Sequence, residues 1–533
     1  MKTFFFGIYF FFITLTTGLS QTIYTPNWES LDKRPIPTWF QNAKFGIFIH
    51  WGLYSVPAWS PKGTYAEWYQ YWLDNKTLFG NGDFKGDEIY NYHQKIYGKD
   101  FTYMDFAPLF KAQDYNATEW ADLFVKTGAR YAVLTTKHHD GFALWDSKEA
   151  SFHHRRPWNS MEIGAHRNLV EEFVKAIRKT PLKVGCYFSL REWNNPFYTT
   201  STMPIYVEQH LYPQLKDLIT KYKPDLIWAD GPDNYDEETW KTKEFFAWLY
   251  SSSEVKDSVV INDRWAKFKN GKHGDFYTSE YSSSNKKYDK PWEECRGMGF
   301  SFGYNKLEDI EDYAVPQALI HTLIKIVSQG GNLLLNIGPT AEGKIPPIMQ
   351  ERLLQIGEWL KVNGEGIYNT RPWKKNCQWS EGKRDWKSGE KYYVSGNAIL
   401  KQTVNPEPGY ATQEVFFTCK ANNLYAILTN YPDKITLKDV KSTSHTIINL
   451  LGYPDKLRWE QKGQNLIVIL ENFCYCLIQK TLGELPDFEV MTWQLCNLLR
   501  STLNCLQGTL ILLQRYEFYL YIKSTVLFIM SLR

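Results

Sequence analysis

The sequence predicts an α/β fold: a (β/α) barrel catalytic domain followed by a C-terminal antiparallel β-sandwich domain. Three observations predict it. Short apolar runs alternate with helical stretches over the first two thirds of the chain. Each of those runs ends in polar residues. Beyond Arg371-Pro372-Trp373 the texture changes to short β-like runs punctuated by turn residues.

The apolar runs come first. Lys44-Phe-Gly-Ile-Phe-Ile ends in His50-Trp51-Gly52, and Tyr131-Ala-Val-Leu-Thr-Thr ends in Lys137-His138-His139-Asp140-Gly141. Val184-Gly-Cys-Tyr-Phe leads to Ser189, and Asp225-Leu-Ile-Trp-Ala to Asp230-Gly231. Val259-Val-Ile leads to Asn262-Asp263-Arg264, Phe276-Tyr-Thr-Ser to Glu280, and Asn332-Leu-Leu-Leu to Asn336. They are too short for helices and rich in β-branched or aromatic residues, as buried strands are. Between several of them lie stretches of helical spacing: Trp120, Leu123 and Phe124; Leu169, Phe173 and Ile177; Leu211, Leu215 and Ile219. Strands alternating with helices build parallel β/α units. Polar residues at the ends of apolar strands are what a barrel places at its catalytic face. An open doubly wound sheet also places ligands there, but usually with a glycine-rich phosphate turn after its first strand. The first run here leads into His50-Trp51-Gly52 instead, which favours the barrel.

The later runs are Lys391-Tyr-Tyr-Val, Glu414-Val-Phe-Phe-Thr, Leu424-Tyr-Ala-Ile-Leu, Thr446-Ile-Ile-Asn-Leu and Leu466-Ile-Val-Ile-Leu. They suit a small antiparallel sandwich. The expected organisation is a signal peptide over 1–20, the barrel over 21–373, the sandwich over 374–482 and an atypical tail over 483–533. In the tail, the apolar stretch from Leu510 to Met530 is interrupted by Arg515, Glu517 and Lys523. A membrane span needs about 20 mostly apolar residues, so no stable membrane insertion is expected.

The N-terminus has the form of a secretory signal: a positive start at Met1-Lys2, an apolar stretch from Thr3 to Gly18, and small residues at Gly18 and Ser20. Cleavage is expected near Ser20–Gln21, which routes the chain to the secretory pathway, secreted or lysosomal. Sequons at Asn75 and Asn116 suit that route. Eight cysteines are too sparse and irregular in 533 residues for a disulfide scaffold, and no Cys-x-x-Cys zinc pattern occurs. The formal charge of +3, from 61 basic and 58 acidic residues, excludes the signature of a nucleic-acid binder. Aromatic residues make up 17%, which serves either a large core or a site that stacks rings on sugar faces.

Two carboxylates stand out by position. Asp230 ends a strand two residues after Trp228, where it could attack an anomeric carbon or simply cap a helix. Glu280 also ends a strand, and a partly desolvated glutamate there can protonate a leaving oxygen. Glu293 and Glu294 compete for that role. His138 and His139 raise the idea of a metal site with His50, but metal sites need three or four ligands in defined geometry. Adjacent strand residues also point to opposite faces, so hydrogen bonding to substrate hydroxyls is the better expectation. Arg264 suits a hydroxyl, a carboxylate or its neighbour Asp263.

Seven stretches together resemble the α-L-fucosidases of glycoside hydrolase family 29. They are Phe45-Gly-Ile-Phe-Ile-His-Trp-Gly52, Tyr65-Ala-Glu-Trp-Tyr69, Lys137-His-His-Asp-Gly-Phe142, Asp225-Leu-Ile-Trp-Ala-Asp-Gly231, Asn262-Asp-Arg-Trp265, Trp292-Glu-Glu-Cys-Arg-Gly-Met-Gly-Phe-Ser-Phe-Gly-Tyr304 and Gly330-Gly-Asn-Leu-Leu-Leu-Asn-Ile-Gly-Pro339. They keep the family's order, and the resemblance spans residues 36–373. It implies a retaining exo-glycosidase that hydrolyses terminal α-L-fucose from glycoconjugates through a covalent fucosyl-enzyme, with no cofactor and no metal. Its partners would be fucosylated glycans and glycoproteins, and a homo-oligomer is compatible with it. By motif position Asp230 matches the nucleophile and Glu280 the acid/base, with Glu293 the alternative. His50, Glu67, Trp68, His138, His139, Tyr187, Trp228, Arg264 and Phe302 match positions that line the fucose pocket, and Cys295 lies in the signature stretch around Trp292. A catalytically silent, lectin-like relative is the alternative function. Its expected mark is loss of Asp230 or of the acid, and Asp230 is present.

Overall fold

The computed structural model describes residues 23–75, 86–232, 235–267, 272–281, 289–387, 396–430, 432–470 and 527–531. Eight parallel strands form one curled sheet: β1 (Phe45–Ile49), β2 (Tyr131–Lys137), β3 (Lys183–Ser189), β4 (Leu226–Asp230), β5 (Val260–Ile261), β6 (Tyr277–Glu280), β7 (Trp292–Gly297) and β8 (Asn332–Ile337). The strand order is β5-β4-β3-β2-β1-β8-β7-β6. Side chains join the two edges. Asp275 Oδ2 accepts the Ile261 N–H at 2.9 Å, and Asp263 Oδ1 accepts the N–H and hydroxyl of Thr278 at 3.0 and 2.7 Å. Arg34 anchors Asp275 from behind, with Nη1 at 3.1 Å and both side chains buried. The curl thereby closes into a barrel.

The alternation of a strand sorts its residues between two layers. On β1, Phe45, Ile47 and Ile49 join the layer between sheet and helices, while Phe48 points inward to Tyr187, Trp228 and Leu334. Gly46 lies against the Tyr131 ring. A Cβ there would come within 2.4 Å of it, so the glycine lets the tyrosine fill the barrel floor. The helices Ala117–Lys126 and Leu169–Ile177 are N-capped by Asn116 and Asn168, whose side chains accept backbone N–H groups of the first turn. The expected helix from Tyr206 opens instead as a π-helical stretch, Tyr206–Leu211, before becoming α-helical over Tyr212–Tyr222.

The strand β7 was not legible as a strand. Its sequence is Trp-Glu-Glu-Cys-Arg-Gly, yet every residue is buried. Its charges find partners inside the protein: Glu294 pairs with Arg296 at 3.0 Å, and Glu293 is bonded in the barrel interior. Periodicity counts apolar residues, so a buried strand of satisfied polar residues escapes it.

The C-terminal part has two antiparallel sheets. One contains β9 (Arg371–Trp379), β10 (Gln413–Lys420), β11 (Asn423–Leu428), β13 (Ile447–Leu450) and β16 (Leu527–Ser531); the other contains β12 (Lys434–Leu437), β14 (Arg458–Lys462) and β15 (Asn465–Ile469). Val415, Phe417, Leu437, Ile448, Leu466 and Val468 form the core between them. Phe416 and Ile427, on the opposite face, join the barrel's core, where the helix Pro316–Ser328 packs on β9 and β10. Two sequence expectations need correction. The boundary drawn at 373 falls inside β9, which starts at Arg371. The tail, read as fitting neither domain, supplies β16, which pairs with both β11 and β13.

The signal peptide, the Lys391-Tyr-Tyr-Val run, four of the cysteines and the rest of the tail lie outside the described residues. Among the described residues, Cys186, Cys295, Cys377 and Cys419 carry free thiols, and no helix is long and apolar enough to cross a membrane. Asn75 and Asn116 are both exposed.

Candidate active site

Each barrel strand delivers its polar end to one mouth. Asp230 closes β4, Glu280 closes β6, and Arg264 follows β5 between them. Arg264 Nη1 lies 3.1 Å from Asp230 Oδ1, and Nη2 lies 3.1 Å from Glu280 Oε2. The guanidinium rests over the Trp228 ring, 4.6 Å from its centroid, and Nε donates to Thr278 at 3.0 Å. One cation thus spans two carboxylates from different strands.

Asp230 is further bonded by the Tyr187 hydroxyl, which donates to Oδ2 at 3.0 Å. Burial pushes its carboxyl upward, but the charge and hydrogen bond of Arg264, then the charge of Arg191, outweigh this and hold it below the ordinary value. Asp230 is therefore an anion at any working pH. Glu280 stands nearer the opening, its side chain 32% exposed against 21% for Asp230. Its Oε1 accepts the Tyr65 hydroxyl at 3.1 Å.

Three histidines line the wall, and the contacts of the protein define the tautomers of His50 and His139. Asn336 donates its amide to the Phe302 carbonyl at 2.6 Å, so its Oδ1 accepts from His50 Nδ1 at 2.7 Å. Ser189 donates to the Arg191 carbonyl at 2.6 Å, so its Oγ accepts from His139 Nδ1 at 2.5 Å. In both rings Nε2 keeps a lone pair for a hydroxyl, and His139 Nε2 lies 3.7 Å from Asp230 Oδ2. Burial pushes His50 down to about 4 and takes His138 and His139 well below their ordinary value, so all three are neutral. His138 Nδ1 is buried with no protein partner.

The expectation that neighbouring His138 and His139 point apart does not hold. The strand ends at Lys137, with a register shift after Thr135, and the chain turns at Gly141. Strand alternation no longer applies there, and the two rings lie 4.3 Å apart.

Most of the remaining expected pocket residues converge. His50 lies 4.9 Å from Phe302 and 5.6 Å from Tyr187, which stacks on Trp228 at 5.7 Å. Trp68 lies 5.8 Å from His139. Glu67 is buried, and its Oε2 accepts the Gly303 N–H at 2.8 Å and the Ser301 hydroxyl at 3.1 Å. Burial pushes it up to about 8, against those hydrogen bonds. Glu293 is set apart from this group. It pairs in register with Thr278, two residues deeper than Glu280, and both its oxygens are taken, by the Trp228 indole N–H at 2.9 Å and the Tyr131 hydroxyl. Cys295 stands beside Glu280 in register, buried, and burial keeps its thiol well above the ordinary value. Sequence reasoning gave no role to Arg191, Asn336 or Ser189. Ser189 and Asn336 were seen only as strand ends, and Arg191, two residues beyond Ser189, follows the same strand-end rule. Among the described residues, no three histidine, cysteine or carboxylate side chains converge as ligands for a metal.

A barrel whose mouth gathers two carboxylates, an arginine and neutral histidines has the construction of a glycoside hydrolase. The comparisons agree. The family model described as Alpha-L-fucosidase matches residues 11–365, and that described as Alpha-L-fucosidase C-terminal domain matches residues 409–480. The chain is 42% identical over 375 residues to an alpha-L-fucosidase of Dictyostelium discoideum, covering 69% of this chain and 79% of that protein. It is 39% identical over 449 residues to the tissue alpha-L-fucosidase of Homo sapiens, covering 82% and 85%. The crystal structure of Thermotoga maritima alpha-fucosidase in complex with fucose superposes with a TM-score of 0.66 at 33% identity, covering 84% of this chain and 96% of that one. The chain belongs to the α-L-fucosidase family, glycoside hydrolase family 29, and is an α-L-fucosidase enzyme.

Proposed function

We propose that this chain removes terminal α-L-fucose from glycoconjugates with net retention, by two successive displacements. The observation that carries the reading is the Arg264 bridge between a partly buried anionic Asp230 and the more exposed Glu280. Retaining glycosidases hold their two carboxyl groups about 5–5.5 Å apart, and carboxylates on the two ends of one guanidinium are compatible with that. In the first displacement Asp230 attacks C1, the C1–O bond to the aglycone breaks, and the leaving oxygen takes the proton of Glu280. In the second, Glu280 takes a proton from water, the water oxygen attacks C1, and the Asp230 carboxylate is released. Both the cation and the Tyr187 hydroxyl stabilise Asp230 as it leaves.

His50 and His139 present Nε2 lone pairs, and protonated Glu67 presents a polar group, to the fucose hydroxyls. Trp228 and Phe302 offer apolar surface to the ring and its methyl group. A sugar lacking the matching hydroxyl leaves a buried polar group unpaired, which is a strong basis for selectivity. The N-terminal Met1–Ser20 pattern and the tissue α-L-fucosidase relative support a secretory, lysosomal or extracellular setting, with fucosylated glycans as substrate.

The test is release of 4-nitrophenol from 4-nitrophenyl α-L-fucoside by the wild type, Asp230→Ala and Glu280→Ala, each with and without azide. Both variants lose hydrolysis. Azide yields β-fucosyl azide from Asp230→Ala, where it enters the emptied nucleophile side, and α-fucosyl azide from Glu280→Ala. A wild type that binds fucose without turnover overturns the reading in favour of a lectin.

A further inference from the structure

Glu280 meets two donors of unlike kind. Oε2 faces Arg264 Nη2 at 3.1 Å, and Oε1 faces the Tyr65 hydroxyl at 3.1 Å. A guanidinium only donates and keeps its protons. A proton placed on Oε2 would point into that cation, so the neutral acid carries its proton on Oε1. Tyr65 can accompany either state, because a hydroxyl can donate to one lone pair of Oε1 while leaving the rest of that oxygen to the substrate.

Tyr65 is held for this task. It is 8% exposed, and its ring stacks on Phe300 with centroids 5.3 Å apart and planes 21° apart. The next residue, Ala66, donates its N–H to Ser301 Oγ at 2.9 Å, the same hydroxyl that donates to Glu67. Glu308 Oε1 in turn accepts the N–H groups of Phe300 and Ser301 at 2.9 and 2.8 Å. The turn after β1 and the loop after β7 therefore brace one another, and the phenol they hold ends at the carboxylate of β6.

We propose that Tyr65 is a positioning residue for proton transfer, orienting Glu280 Oε1, where Arg264 leaves the exchangeable proton, and donating to that oxygen as the proton departs. The inference rests on Glu280 being the acid/base. In the first displacement the Oε1 proton passes to the glycosidic oxygen as the C1–O bond breaks and the C1–Asp230 bond forms. Tyr65 keeps its own proton, and its hydrogen bond becomes charge-assisted. The contribution of Tyr65 thus grows with the proton demand of the leaving group.

The experiment compares kcat/KM of wild type and Tyr65→Phe on two substrates. One is α-L-fucosyl-(1→2)-galactose, whose sugar leaving group needs a proton; the other is 2-chloro-4-nitrophenyl α-L-fucoside, whose phenol leaves as the anion. The phenyl ring preserves the Phe300 stack, and a matching thermal midpoint confirms the fold. The expected loss is on the order of 10- to 100-fold on the disaccharide, the range of a hydrogen bond to a charged group. The aryl fucoside changes by less than about threefold. An equal loss on both substrates, or none on either, overturns the inference. Glu280→Ala on the same pair separates the two failures. If it discriminates between the leaving groups and Tyr65→Phe does not, Tyr65 alone loses its role. If Glu280→Ala does not discriminate, the acid/base assignment falls and this inference with it.

Discussion

Arg264 meets Asp230 at 3.1 Å between Nη1 and Oδ1, while its other terminal nitrogen holds Glu280. An ammonium group is a point charge and cannot reproduce this fork. Arg264→Lys is expected to lower kcat by about 100-fold or more, the scale of losing one preorganised charge donor. Because Arg264 is what holds the Asp230 carboxyl down against burial, weakening it raises that pKa. The acid limb of kcat/KM then moves to higher pH. A pH profile with an unmoved acid limb would contradict the electrostatic role.

Glu293 provides the contrast with Glu280. Its oxygens are occupied by Trp228 and Tyr131, and burial pushes it up to about 7. Glu293→Gln keeps the acceptor for Trp228, and the Tyr131 hydroxyl can rotate to accept from the new amide. Activity is expected to stay within about tenfold of wild type, with no dependence on leaving group, since acid/base groups contribute about 10²–10⁴. A leaving-group-dependent collapse in Glu293→Gln, with Glu280→Gln unaffected, would exchange the two assignments.

Glu67 titrates within the working range. Burial pushes it up to about 8, so below that pH it is a neutral acid able to donate to a fucose hydroxyl. As pH rises through 8 it becomes an anion in a buried pocket, and substrate binding weakens. Glu67→Gln keeps a neutral group there and should lose this basic limb of kcat/KM. Assays from pH 4 to 9 decide it, and an identical basic limb in the variant would assign the limb to another group.

Thermal stability should respond to pH through two sets of buried groups with opposite slopes. Burial raises Glu67, Glu293 and Glu308 from 4.5 to about 8, 7 and 7. Between these values the folded chain retains protons that the unfolded chain has released, so stability falls as pH rises through that window. His50 and His321 are lowered from 6.5 to about 4, again by burial. There the unfolded chain gains protons that the folded chain refuses, so stability falls as pH drops from 6.5 toward 4. Above about pH 6.5 the histidine slope is spent and the carboxyl slope remains, so Tm is expected to fall between about pH 6.5 and 7. Scanning calorimetry from pH 4 to 9 measures it, and a midpoint that rises steadily to pH 8 would contradict the raised carboxyls.

The barrel was readable because most of its strands obey one rule, an apolar run with a polar end. β1 and β2 appear within a residue of their expected limits. β7 broke the rule, since Glu293, Glu294 and Arg296 are buried by pairing and not by being apolar. β9 hid behind the Arg371-Pro372-Trp373 junction, whose residues read as a linker. β16 lay in a stretch whose charges and composition gave no strand alternation.

The sequence by itself determined the family, the order of the β/α units, and the candidates Asp230, Glu280, Arg264 and the histidines, because each stands at the polar end of a local apolar run or in a family stretch. Only the tertiary structure decided which of them meet. That Arg264 spans Asp230 and Glu280, that His138 and His139 face the same pocket, that Glu293 lies beneath Trp228, and that Tyr65 reaches a carboxylate 215 positions away all follow from the curl of the sheet. The physical reason is range. Strand ends and local periodicity are set by neighbours within a few residues, whereas a hydrogen bond across the barrel mouth depends on how all the strands close around a shared core.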